Sequence, residues 1–271
     1  MNGLTLIRIG VFLGALVVFS FLEWRYPRRR NRRPGNRVAN LCLAPVGSLL
    51  TRLLVPAGLV VFAAERSGGL FPWLGVPRLP ALLAGILALD LAIYLQHRLF
   101  HRWPWLWRLH RVHHTDLDLN TTSGVRFHPG EIALSALIKL AVIAALGLPA
   151  LAVLLFELLL NATTLFNHSN LGLGPVADRW LRWLVVTPDM HEIHHSAWPG
   201  ELDCNFGFSF PWWDHGFGTY RARSDAPGEI PIGLPGQGRT HLGFWALLIE
   251  PLRRRAAGGF RILGAGPPPE A

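Results

Sequence analysis

Long apolar stretches of near membrane-spanning length are the feature that most constrains the fold of this chain. Hydrophobic residues make up 51% of its 271 residues, and the mean hydropathy of +0.30 is high for a soluble protein. The first stretch, Leu4–Leu22, is interrupted only by Arg8 and nearly reaches the length that a transmembrane helix needs. Because a backbone in lipid must satisfy its own hydrogen bonds, such stretches predict helices.

Further apolar stretches complete the predicted set of spans. Val38–Ala64 predicts a second span, although prolines and Arg52 interrupt it, and Ala81–Leu99 predicts a third. The apolar run 132–161 contains Gly-Leu-Pro at 147–149, which predicts a helical hairpin of two short spans. The sequence therefore predicts an all-α integral membrane protein with about four to five transmembrane helices, counting the two arms of the hairpin.

The charge distribution predicts how the chain is oriented. Seven arginines between Arg25 and Arg37 follow the first span, which predicts a cytoplasmic loop and an external N-terminus. A secretory signal would carry its charge before the apolar core, so we expect an uncleaved span. The net charge of +9 borders apolar segments, which favours an anionic membrane surface over nucleic acid as a partner. Richness in Arg, Ala, Gly and Pro is typical of a GC-rich bacterial genome, so we expect a bacterial inner membrane.

Eight histidines form three clusters that the predicted topology places on one membrane side. On a helix, His97 and His101 would lie one turn apart on the same face. The pattern H-x-x-H-H follows at 110–114 and returns at 191–195. Counting spans from the arginine loop puts every cluster on the cytoplasmic side, under a cytoplasmic cap formed by residues 176–222. The candidate metal ligands in these clusters are His97, His101, His110, His113, His114, His191, His194 and His195, and His168 lies between the second and third clusters.

Histidine is the commonest side-chain ligand for zinc, copper, iron and nickel. A lone histidine is more often a satisfied polar residue, but three clusters with repeated spacing are typical of metal binding. One ion takes about four to six ligands, so eight or nine histidines indicate a dimetal site. The two cysteines, Cys42 and Cys204, form neither a disulfide framework nor a zinc knuckle.

Two other functions fit parts of the same pattern. The third cluster contains H-E-x-x-H, the zinc-protease motif, in which Glu192 would be the general base of a membrane-embedded zinc hydrolase. That interpretation leaves the first two clusters largely without a role. A metal transporter or sensor would place its ligands along a path across several spans. Metal content separates the three possibilities: two irons, one zinc or exchangeable metal.

The clusters HRLFH, HRVHH and HEIHH resemble the histidine boxes of the fatty acid hydroxylase/sterol desaturase superfamily, whose members are membrane di-iron enzymes. The resemblance covers residues 85–222, about half of the chain. Beyond the boxes it includes Asp90, the stretch NTTSGVRFHPGE at 120–131, Thr187-Pro188, Asn205, Gly207 and WDHGFGTY at 213–220.

The resemblance implies two iron ions bound by the eight box histidines and by His168. It also implies O2-dependent hydroxylation or desaturation of a C–H bond in a fatty acyl, sterol-like or related lipid, although some relatives cleave ether lipids. No fused cytochrome b5 domain is visible, so we expect a separate electron donor, ferredoxin-like or cytochrome b5-like, with a reductase. Zinc can replace iron in recombinant protein because it competes well for imidazole. Some relatives carry a tenth histidine where Thr164 stands here.

Polar residues near the clusters are candidates for orienting the ligands or contacting substrate. Asp90 lies in an apolar span, where it is costly unless paired, so it either bonds another helix or orients a ligand histidine. Glu157 and Asn161 share a helical stripe with Thr164 and His168, and this stripe should lead to the metals. The full candidate set is Asp90, Asn120, Arg126, His128, Glu157, Asn161, Asp189, Glu192 and Asp214, with Asp116 and Asp203 as further carboxylates near the clusters.

Three segments follow from these observations. Residues 1–84 hold N-terminal transmembrane helices and the arginine-rich loop, and residues 85–222 form the catalytic domain. Residues 223–271 comprise a Pro/Gly-rich linker, an interfacial helix over His241–Arg255, and a tail whose last ten residues we expect to be disordered.

Overall fold

The computed structural model describes residues 3–29, 36–235, 237–238 and 240–253. Within these ranges the regular structure is helical, apart from two isolated β-bridges that join Pro27 to Leu171 and Ser196 to Ile232. The prediction of an all-α chain is confirmed. Much of the arginine-rich loop, the end of the proposed interfacial helix and the whole proposed disordered tail lie outside the described residues.

The α-helices range from 4 to 25 residues, and the longest ones lie in the apolar part of the chain. Two 3₁₀ turns, at Thr121–Val125 and Glu250–Leu252, complete the set. The α-helices are α1 (Gly3–Arg25), α2 (Arg37–Leu54), α3 (Leu59–Glu65), α4 (Leu70–Trp73), α5 (Arg78–Arg102), α6 (Pro104–His114), α7 (Pro129–Leu146), α8 (Ala150–Asn167), α9 (Pro175–Leu181), α10 (Pro188–His194), α11 (Trp212–Gly216) and α12 (Phe244–Ile249).

Five helical segments of the described chain are long and apolar enough to cross a membrane: α1, the segment Arg37–Trp73, α5, α7 and α8. The prediction of four to five spans is confirmed. The second span is broken between α2 and α3, where Pro56 cannot donate a helical hydrogen bond and Gly58 has a φ of 77°. Residues 68–80 connect this segment to α5 and contain the single turn of α4 and the first residues of α5.

The helical hairpin forms as the Gly-Leu-Pro sequence predicts. Gly147 ends α7 with a φ of 66°, a left-handed conformation that a side chain disfavours. A Cβ at this position would also lie only 2.7 Å from the carbonyl oxygen of Gly68. Pro149 then precedes α8 with its fixed φ of −60°. The two arms pack against α5, and their buried contacts include Ile143 and Phe156.

The cap (residues 176–222) covers one end of this bundle. It contains α10 and α11, and its loop 204–210 returns to α5, where Phe206 contacts the rings of Tyr94 and His97. Asp214 accepts hydrogen bonds from the backbone nitrogens of Phe206 and Gly207, both at 2.8 Å. The loop is therefore fixed against the helix that carries the first histidine cluster.

Candidate metal centre

The nine predicted histidines come together in two adjacent groups, and all nine side chains are buried. Within each group, one ring nitrogen per residue lies within 4.8 Å of the others. The five-histidine group consists of His97, His101, His110, His114 and His194. The four-histidine group consists of His113, His168, His191 and His195.

Helical geometry explains how one H-x-x-H-H sequence contributes to both groups. On α6, His110 and His114 are one turn apart and face the five-histidine group. His113 lies roughly 100° from His114 and roughly 60° from His110 around the helix axis, and it faces the other group. The third cluster, at the end of α10, makes the opposite division. Its first and last histidines join the four-histidine group and its middle one joins the five-histidine group.

Hydrogen bonds at Nδ1 fix the orientation of several rings. A backbone carbonyl only accepts, so a histidine bonded to one through Nδ1 carries its proton there and leaves Nε2 with a lone pair. Four histidines donate from Nδ1 to a backbone carbonyl oxygen: His97 to Phe206 at 2.7 Å, His194 to Cys204 at 2.7 Å, His168 to Thr164 at 2.8 Å and His113 to Arg126 at 3.3 Å. His110 is held instead by the Glu131 carboxylate, at 2.7 Å.

The Nε2 atoms face one another at distances that suit a shared cation. The Nε2 atoms of His113 and His168 are 2.9 Å apart, and those of His97 and His110 are 3.0 Å apart. Burial lowers the pKa of His110 to about 3 and that of His168 to about 4, so these rings are neutral. With Nδ1 donating on both members of a pair, two lone pairs point at each other. This arrangement fits metal ions, and neutral imidazole suits iron and zinc.

A cavity of about 570 Å³ ends at the five-histidine group, with His97 and Glu131 in its wall. Its remaining lining is mainly apolar and comes from α1, α2, α5, α7 and α8, from residues 124–127 and from Phe208 of the cap loop. The size is that of a site for a small organic ligand. Thr164 and Asn161 of the predicted stripe line this cavity, whereas Glu157 pairs with Arg8.

Comparison with known proteins agrees with this geometry. Residues 82–219, about half of the chain, match the fatty acid hydroxylase family. The chain belongs to the fatty acid hydroxylase family. The resemblance inferred from the histidine boxes is confirmed. No solved structure shows a significant match.

Three curated relatives indicate the range of this family. The ornithine lipid hydroxylase OlsE of Rhizobium tropici is 30% identical over 189 residues, covering 68% of this chain and 53% of the relative. The alkylglycerol monooxygenase of Xenopus tropicalis is 29% identical over 139 residues, covering 49% and 29%. Human cholesterol 25-hydroxylase is 26% identical over 145 residues, covering 51% and 50%. The chain thus spans about half the length of OlsE and less than a third of the alkylglycerol monooxygenase.

Glu131 contacts the candidate ligand His110 but is absent from the predicted set of polar residues near the clusters. It is buried at the start of α7 and holds the Nδ1 hydrogen of His110. An acidic residue at the start of an apolar helix is a signal that could have identified it, because such a residue needs a specific partner. The contact joins positions 21 residues apart in the fatty acid hydroxylase region, so local spacing gave no sign of it.

Two predicted carboxylates act near the five-histidine group. Asp203 has an oxygen 3.3 Å from Nδ1 of His101. Asp214 does not contact a histidine, but it fixes the loop whose Phe206 carbonyl orients His97. Burial raises the pKa of Asp203 to about 6 and that of Asp214 above its ordinary value.

Asp90 lies in the first histidine-box helix but contacts the cap rather than a histidine. Its carboxylate accepts from the indole nitrogen of Trp213 at 2.8 Å and from the backbone nitrogen of Phe210 at 3.4 Å. Of the two roles expected for Asp90, the structure shows the bond to another element.

The remaining predicted residues on the segment after the second box support the scaffold. The buried guanidinium of Arg126 donates to Asn40, Thr115 and the carbonyl of Val112. The other contacts are those of Asp116 with Asn40 and Ser123, of Asn120 with Thr122, and of His128 with Gly130 and the carbonyl of Leu248.

Glu192 and Asp189 form ion pairs with the segment that follows α1. Arg28 lies 2.5 Å from Glu192 and 2.8 Å from Asp189, and Arg29 also pairs with Glu192. Desolvation raises the pKa of Glu192 despite both arginines. A zinc hydrolase would need this carboxylate to activate water at the metal, but here both of its oxygens pair with arginine.

Proposed function

We propose that this chain is a membrane-bound oxygenase that hydroxylates or desaturates a C–H bond of a lipid, with two iron ions bound by the nine histidines. The observation that carries the proposal is the pair of adjacent histidine groups, of which the five-histidine group lies at the end of an apolar cavity large enough for part of a lipid. The relatives support it, because their names include a lipid hydroxylase, monooxygenases and a sterol desaturase.

The two irons would be held by the five-histidine and four-histidine groups. When bound, they would supply the O2-dependent oxidising chemistry that attack on an unactivated C–H bond requires. The protein's own contribution is to hold the ligand nitrogens in place. Glu131 keeps a proton on Nδ1 of His110, and the carbonyl of Phe206 does the same for His97, so both rings present Nε2 to the metal.

The substrate would lie in the cavity with its reacting carbon near His97. Ile93, Phe127 and Phe208 line the same cavity and would keep water from that carbon. The wall also includes Phe12 of α1 and Leu41 of α2. A lipid would therefore enter from the bilayer between these two helices.

The orientation and the electron source are part of the same proposal. The arginine-rich segment after α1 supports a cytoplasmic active site and an external N-terminus in a bacterial inner membrane. Electrons would come from a separate donor, ferredoxin-like or cytochrome b5-like, together with its reductase. Zinc would occupy the site in part of a recombinant preparation.

Lipid extracts of cells with and without the gene, grown under isotopically labelled O2, test the proposal. We expect a lipid that either gains a labelled oxygen atom or becomes more unsaturated only when the gene is present. A His110→Ala strain is the matched control and should lack the product. A gene-dependent lipid that forms equally well without O2 would contradict the oxygenase and favour a hydrolase.

A further inference from the structure

The cavity has a cationic region away from the histidines. Lys139, the only lysine in the sequence, lines the cavity from α7, and Arg8 lines it from α1. Lys139 is eight residues beyond Glu131 on the same helix, which places it roughly 12 Å farther along the helix axis. The cavity therefore extends from the five-histidine group to a pair of cations within the membrane-spanning region.

The charges in this region do not balance. Arg8 forms an ion pair with Glu157, so these two residues neutralise each other. Lys139 and Arg8 line the same cavity, where their charges interact. Among the described residues, none forms a hydrogen bond or an ion pair with the Lys139 amine. Arg8, Glu157 and Lys139 together carry a net charge of +1. An unpaired cation in a membrane-spanning helix is costly and marks a functional site.

We propose that Lys139 and Arg8 form a subsite for the anionic head of an amphiphile, whose apolar chain lies along the cavity towards His97. The net charge of +1 is complementary to an anionic carboxylate or phosphate group. The apolar residues between the two ends, such as Phe12, Ile132 and Leu160, would contact the chain. The identity of this amphiphile as the substrate rests on the proposed function.

The subsite would also determine which carbon is near the metal centre. With its head at Lys139, an amphiphile would present a carbon roughly 12 Å from the head group to the five-histidine group. Carbons next to the head group would lie too far from His97 to react. The proposal thus restricts the substrate to anionic lipids and the reaction to a position remote from the charge.

Binding to the purified protein in a neutral detergent tests the subsite without O2 or electrons. The probes are dodecanoate, dodecyl phosphate and dodecanol, which share one chain and differ in the head, each competing with a fluorescent fatty acid. We expect at least one anion to bind about 10-fold or more tightly than the alcohol, as a charged hydrogen bond predicts. The stronger anion indicates whether the natural head is a carboxylate or a phosphate.

Variants assign this preference to Lys139. Lys139→Met should bind the anions no better than dodecanol, whereas Lys139→Arg should keep the preference. Arg78→Met, which removes an exposed charge at the start of α5, should also keep it. Unchanged dodecanol binding shows that a variant is folded. If Lys139→Met does not fold, Lys139→Gln takes its place.

Two results would overturn the subsite: equal binding of all three probes by the wild type, or an anion preference that survives in Lys139→Met or Lys139→Gln. Because the assay involves no turnover, it can succeed even if the lipid product of the proposed reaction is never found. That outcome would count against the oxygenase and leave the subsite standing.

Discussion

The five-histidine and four-histidine groups share α6 and α10, take their other ligands from α5 and from the end of α8 respectively, and differ in what supports them. In the five-histidine group, His110 is held by the carboxylate of Glu131, and His97 lines the cavity. In the four-histidine group, the observed Nδ1 partners are backbone carbonyls, at His113 and His168. A carboxylate partner makes an imidazole a stronger ligand than a carbonyl does. We infer that the group next to the cavity contains the most basic ligand, His110.

Removing one histidine from each group should have the largest effect. His110→Ala and His168→Ala each delete a nitrogen that faces another ligand nitrogen, at 3.0 Å and 2.9 Å respectively. We expect both variants to lose O2-dependent product and to bind less iron per chain, as measured by elemental analysis. Either variant retaining full iron and full product would show that its group is not a metal site.

Glu131→Gln should weaken the five-histidine group without removing a ligand. Loss of a carboxylate behind a ligand histidine typically costs roughly 10–100-fold in metal affinity or activity. Iron titration of the variant should show one weakened site and one unchanged site, which would distinguish the two groups directly. Equal weakening of both sites would contradict the difference in support described above.

Asp214→Asn should have a smaller effect, through the loop that orients His97. The carboxylate accepts from two backbone nitrogens and from Thr219, and an amide can replace only part of this pattern. We expect a loss of about 1–3 kcal/mol in unfolding free energy, from the hydrogen bonds to a charged group. Thermal unfolding measures the change, and unaltered stability would show that the loop is held by other contacts.

Glu192→Gln should have the smallest effect on catalysis. The carboxylate pairs with Arg28 and Arg29, so its loss should leave activity within about 10-fold of wild type. A hydrolase built on the third box would lose roughly 10²–10⁴-fold when its general base is removed. Product assays on Glu192→Gln and His110→Ala decide between the oxygenase and the hydrolase. An inactive Glu192→Gln with an active His110→Ala would favour the hydrolase.

Regular spacing made the ligand set and the spans predictable from sequence. The i, i+3 and i+4 positions of the H-x-x-H-H clusters determine which side of a helix each imidazole takes, and the apolar lengths determine the spans. The Gly-Leu-Pro turn of the hairpin was predictable for the same local reason. The division of each H-x-x-H-H cluster between the two groups was not predictable, because it depends on how α6 and α10 face each other.

Contacts between distant segments were beyond sequence reasoning. Asp90 bonds Trp213, 123 positions away, and Glu157 pairs with Arg8, 149 positions away. Both acids are recognisable as costly in an apolar span, but their partners depend on the packing of the bundle. The cationic region at Lys139 likewise becomes visible only when α1 and α7 line one cavity.

Iron content is the most direct test of the two-group account. Protein purified without metal, then reconstituted anaerobically with ferrous iron and freed of excess, should hold two irons per chain by elemental analysis. His110→Ala and His168→Ala, treated in the same way, should each hold fewer. One iron or none per wild-type chain would contradict the claim that the nine histidines form a dimetal centre.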